Sequence, residues 1–181
     1  QQIIQTHDYY QRNNTVVPTS FFKREGQLNA IVPLVVYRTY GFNMEYWNKS
    51  IDLHPQIKIL RINKSNINLL SMFIKQHKKL FSVYVCPDIN ILIDLVESGN
   101  ILIYCLMQNA NVLSIYFFKD SSTFYHERRA LDCFASINNC LDDTIFIEGL
   151  SKITKKLKNH YKFLIIENIF QNYKIIENII K

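Results

Sequence analysis

NILIYCLMQNANVLSIYFF, residues 100–118, is the stretch that decides the fold. Its two arms, 100–107 and 112–118, are rich in β-branched and aromatic residues, which suit a pleated, half-buried surface. The Asn109-Ala110-Asn111 segment between them is short enough for a hairpin.

Upstream, Pro87 and Asp88 punctuate a helix start, and Ile89, Leu92, Ile93 and Val96 repeat at helical spacing up to Gly99, which suits a C-terminal cap. Before that, Ile67, Leu70, Ile74 and Phe81 share one face of a helix over 67–81, with Lys75 and Lys78 on another, and residues 63–65 can cap it. Residues 56–62 (QIKILRI) alternate polar and apolar side chains like a half-buried strand. Downstream, 119–129 (KDSSTFYHERR) reads as a polar loop and 130–137 as a third strand. Asp142 or Asp143 then opens a helix over 144–159, whose cationic last turn (Lys155, Lys156, Lys158) complements the helix dipole. A short apolar strand at 163–166 and an amphipathic helix at 169–180 complete the order.

Composition narrows the class. With 48% hydrophobic residues the chain is not disordered. Its net charge of +6 permits an acidic partner, but the cations at 75–79, 128–129 and 152–158 read as solvated faces, and no nucleic acid is expected as partner. The four cysteines (Cys86, Cys105, Cys133, Cys140) have neither a paired nor a zinc spacing, so they read as reduced core thiols, and no metal is expected. Neither a membrane span nor a leader is visible, and a cytoplasmic protein is expected. Because the sequence starts at Gln1 rather than Met, it reads as trimmed, processed or part of something longer. Residues 1–55, with a Pro33-interrupted apolar run at 29–37 and aromatics at 40–50, form an N-terminal arm and edge segment; residues 56–181 form the domain.

Strand, two helices, strand meander, helix, strand, helix: that order resembles the GNAT acyltransferase fold, an α+β architecture with a mixed, largely antiparallel sheet flanked by helices. The last two strands of the family pattern are missing. A GNAT domain that binds acyl-CoA sets the pyrophosphate on a glycine-rich turn between its fourth strand and third helix. Here that junction, 136–143, lacks glycine and carries Asp142 and Asp143, so no cofactor is expected on this chain.

Several stretches are similar to the C-terminal half of the N-myristoyltransferase family, which faces the peptide. Val35-Val36 followed by Tyr46-Trp47-Asn48-Lys49-Ser50 resembles its VV…YWHRS segment, 112–116 its DFLSFY strand, 134–138 its YSFYN strand, and 161–172 its FDVFNALDLMEN segment. The resemblance implies a peptide partner contacted at Tyr46, Asn48, Ser114, Phe134 and Asn168. A packed Tyr46 and a strand Ser114 are the plain alternatives. At Asn48, Phe134 and Asn168 the family has His, Tyr and Asp, and the lost carboxylate weakens contact with a cationic group. The family's C-terminal carboxylate base, its further peptide-pocket strand and its acyl-CoA half have no counterpart here. Myristoyl-CoA therefore enters only with a complete upstream half. Two functions follow: the peptide-facing half of a myristoyltransferase, or a module of that fold that lost its chemistry and serves protein binding or a structural role, in a virus with an A/T-rich genome acting in host cytoplasm or virion.

Beyond the resemblance, Glu97, Glu127, Glu148, Glu167 and Glu177 show no paired spacing for acid/base work. His77, His126 and His160 read as solvated, with His126 beside Glu127 the one candidate for a proton role.

Overall fold

The computed structural model describes residues 39–44, 53–80, 86–125, 128–167 and 171–180. Its elements are β1 (Thr39–Asn43), β2 (Ile57–Arg61), α1 (Ile67–His77), α2 (Ile89–Glu97), β3 (Ile101–Gln108), β4 (Asn111–Tyr125), β5 (Arg128–Asn138), α3 (Asp143–Leu157), β6 (Phe163–Glu167) and α4 (Asn172–Ile180). From β2 onward the order is the one expected from residue 56.

The strands join in one sheet, β1-β6-β5-β4-β3-β2. Neighbours are antiparallel except β5 and β6, which run parallel. Parallel neighbours need a crossover, and α3 supplies it. The alternation of β3 and β4 then sorts the side chains into two cores. Tyr104, Leu106, Tyr116 and Phe118 pack with Phe146, Leu150 and Ile153 of α3 and Ile175 of α4. Ile103, Cys105 and Ile115 pack with Leu70 and Phe73 of α1 and Leu92 and Val96 of α2. Fully burying one such apolar side chain contributes about 1.5–3 kcal/mol, so helices on both faces are what hold the sheet.

Local signals act as read at several element ends. Asp88 accepts a hydrogen bond from the Asn90 amide at 2.9 Å and caps α2, and Gly99, at φ 76°, follows its last turn. Asn109, at φ 55°, makes the tight β3–β4 turn.

Other readings need correction. The cap of α1 is not built from 63–65: Asn63 and Asn66 accept bonds from Ser65 and Asn63 amides, at 2.9 and 2.7 Å, forming a polar turn ahead of the helix. The polar loop over 119–129 is a strand ribbon, since β4 and β5 keep pairing to Phe124↔Arg129 and Tyr125↔Arg128. Asp120 pairs with Arg129, and Lys119 lies 3.5 Å from Asp132, so opposite charges stand across the ribbon where apolar residues would stand in a core. His77 is half-buried and stacks on Phe73 at 4.1 Å, whereas His160 is exposed. Glu148 is buried. The last helix starts at Asn172, later than 169. A strand also forms at 39–43, within the segment read as arm and edge, and pairs antiparallel with β6 from Thr39↔Glu167 to Asn43↔Phe163. The apolar run at 29–37, Phe81, His126, Glu127 and the sites Tyr46, Asn48 and Asn168 lie outside the described residues.

Candidate functional site

β5 and β6 stay together from Ala130↔Phe163 to Cys133↔Ile166; β5 then runs on to Asn138 while β6 ends at Glu167. The strands part beside an irregularity in β5, because Phe117 faces Ala135 while Phe118 faces Cys133, leaving Phe134 as an extra residue. A crevice outside the carboxyl ends of parallel strands is where sheets of this kind take ligands. Both α3 and α4 also begin here, so two helix N-termini bring their orphan amides and partial positive charge to the same end.

The protein's own polar side chains occupy this crevice. Asn172 is fully buried, donates from Nδ2 to the Cys133 carbonyl at 3.0 Å, and accepts the Ser136 hydroxyl on Oδ1. Beside it, Gln171 Oε1 accepts the Asn138 amide. The Asn138 side chain donates to Asp143 Oδ1 at 2.9 Å and accepts the Cys140 amide at 2.8 Å. Lys174 reaches the same Asp143 oxygen at 2.8 Å, a bond that raises the lysine pKa and ties the two helix starts together.

At the mouth, Asp142 caps α3 by accepting the Thr144 amide at 2.8 Å, and the hydrogen bonds from Thr144 hold its carboxyl below the ordinary value. Leu141 beside it is fully exposed. Burial pushes the Cys140 thiol up to about 11, so it is a proton-bearing wall group rather than a nucleophile.

Under α3 lies a second polar chain. Ser114, fully buried, donates to Tyr116 Oη at 3.2 Å, and Tyr116 donates to the Phe146 carbonyl while its ring stacks on Phe146 at 5.1 Å. Burial raises the Tyr116 pKa well above the usual value and keeps it a neutral donor.

Of the residues read as peptide-facing, the structure describes Ser114 and Phe134, and does not bring them together. Ser114 is sealed on the α3 side. Phe134 is half-buried, 6.0 Å from the Phe117 ring and 5.3 Å from Lys119 Nζ, and Phe117 packs against the α1/α2 core. The residues that do converge, Ser136, Asn138, Gln171, Asn172 and Lys174, are not singled out by the sequence, although the first four lie in the 134–138 and 161–172 stretches that carry the resemblance; their signal is two carboxamides at the start of a helix that follows a parallel strand.

The acyl-CoA implied by the fold does not suit these residues. Its pyrophosphate would meet the carboxylates of Asp142 and Asp143 in a glycine-free loop, and its amide chain would meet main-chain groups already bonded by Gln171 and Asn172. Among the described residues no group of three or more His, Cys, Asp or Glu could hold a metal ion, and no helix is long and apolar enough to cross a membrane.

No family model matches the sequence, and no curated protein matches it. Solved structures do. An aminoglycoside acetyltransferase from an uncultured soil metagenomic sample superposes with a TM-score of 0.58 at 10% identity, over 70% of this chain and 88% of that one. A ribosomal-protein-alanine N-acetyltransferase from Brucella melitensis biovar Abortus 2308 gives 0.55 at 12% identity, over 68% and 90%. A probable acetyltransferase gives 0.56 at 10%, over 67% and 87%. At these identities the likeness is one of fold, and the fold is that of the GNAT acyltransferases.

Proposed function

We propose that this chain serves N-acyl transfer as an acceptor-facing domain of the N-myristoyltransferase type, presenting a peptide whose free terminal amine receives the acyl group. The observation that carries it is the sheet: a strand meander, then a parallel β5/β6 step with α3 and α4 starting at its open end. Similar sheets occur in acetyltransferases whose names specify aminoglycosides and a ribosomal protein's alanine, acceptors that offer amines. The domain's part in such a reaction is positioning, which lowers a barrier by holding amine and acyl carbon in register. The acid-capped start of α3 favours a reading in which the acyl donor is held elsewhere than on this crevice.

That same cap and the filled crevice favour a second reading, a protein-binding module without chemistry. The two readings separate by their dependence on a free amine. Calorimetric titration should show saturable binding of peptides with a free N-terminal glycine and loss of binding on N-acetylation. Equal affinity for the acetylated peptides would leave the module reading, and no binding of either would overturn the peptide assignment.

A further inference from the structure

We infer that Gln171 and Asn172 form a built-in ligand for the β5/β6 crevice, so that this domain is complete without an acyl-CoA chain between those strands. The carboxamides do what an extended amide-bearing ligand would do there. Asn172 gives an N–H to the Cys133 carbonyl and an oxygen to the Ser136 hydroxyl, and Gln171 gives an oxygen to the Asn138 amide. One side chain thus acts as donor and acceptor across the opening, the pattern of a bound peptide group.

Three features fix the pair in place. Asn172 sits in the first turn of α4, whose Ile175 and Ile176 are buried in the core below. Lys174, two residues on, bonds Asp143 at the start of α3. Asn138 is held from three sides, by Gln171, by Asp143 and by the Cys140 amide. An incoming ligand would have to break these bonds and lift α4, so only the fraction of molecules with α4 displaced could bind it, and its affinity falls by that fraction. Asp142 already occupies the anion-favouring start of α3 and adds repulsion for phosphate at the mouth, while the Asp143 charge is met by Lys174.

The inference uses the N-acyl-transfer reading only to name the ligand that the crevice excludes. Hydrogen exchange by NMR on the full chain tests it. The Asn138 amide should be protected in the wild type and exchange at least about tenfold faster in Gln171→Ala, with Gln171→Glu, which keeps the acceptor, staying protected. Adding coenzyme A or myristoyl-CoA should change neither that protection nor the melting temperature. Asn172→Ala, which frees the Ser136 hydroxyl and the Cys133 carbonyl rather than an amide, should lower the melting temperature; if that variant does not fold, the Gln171 pair decides alone. Saturable binding of either coenzyme with shifts at Asn138 and Asn172, or equal exchange in wild type and Gln171→Ala, overturns the inference. Peptide binding is read separately, so its failure sinks the acceptor reading and leaves this one standing.

Discussion

Gly149 of α3 stands directly over Tyr116 of β4: a Cβ built on the glycine would lie 2.6 Å from the tyrosine hydroxyl and 2.9 Å from a Leu106 methyl. Glycine here is a spacing device, letting the helix approach closely enough for Tyr116 to reach the Phe146 carbonyl.

Two opposed effects make Gly149→Ala informative. In an exposed helix interior the change would stabilise by about 1 kcal/mol. Overpacking a filled contact costs about 1–3 kcal/mol, and rigid neighbours on a central strand favour the upper end. The variant should be destabilised in urea titration; equal or greater stability would mean that the helix and sheet are less closely apposed than described.

Tyr116→Phe keeps the ring on Phe146 and removes the hydroxyl, leaving a buried carbonyl and the Ser114 hydroxyl short of a partner. A loss of about 1–3 kcal/mol is expected. Because Ser114 is sealed beneath α3, Ser114→Ala should shift stability while leaving affinity for any bound peptide unchanged; a specific loss of peptide affinity would instead give Ser114 the contact role read from the sequence.

Stability should fall as solutions become alkaline. Burial raises Cys105 and Cys140 from 9.0 to about 11. The unfolded chain therefore ionises first, and the stabilisation present below pH 9.0 is lost through about pH 11. Tyr116, raised in the same direction, extends the loss. Asp142 acts at the other end: its lowered pKa contributes stability above 3.8 that disappears as pH falls through the folded value. Denaturation across pH, with thiol labelling at pH 8, checks this; fast labelling of native Cys105 would contradict its burial.

Asp88→Ala removes the α2 cap and should cost about 1 kcal/mol, with Asp88→Asn recovering most of it, since either side chain accepts the Asn90 amide. If Asn behaves like Ala, charge rather than the hydrogen bond sustains that end.

Sequence patterns were legible where the core enforces them. Residues 101–118 alternate between two covered faces, and Leu92 and Val96 mark the buried side of α2. The β4–β5 ribbon beyond Lys119 was not, because its polar and charged residues carry no apolar alternation and so read as a loop, although they pair across the two strands. Ser114 and Phe134 read as peptide-facing from the resemblance alone, but the extra residue in β5 sends Phe134 to the opposite side. The role of Asn172 depends on Cys133 and Ser136, nearly forty positions earlier, and no local pattern encodes that meeting.

The pairing of β1 with β6 brings Thr39 against Glu167. Closing so long a loop is entropically costly and slow relative to the hairpins inside it, so this seam is expected to form late in folding and to open early under load. A fragment cut just before β2 would carry β6 with bare main-chain amides along one side, a template for pairing with another molecule. Residues 39–43 thus act as the selvage of the sheet, a border of five residues that covers β6, with the longer β5 and β4 behind it, and leaves only its own short side as the edge.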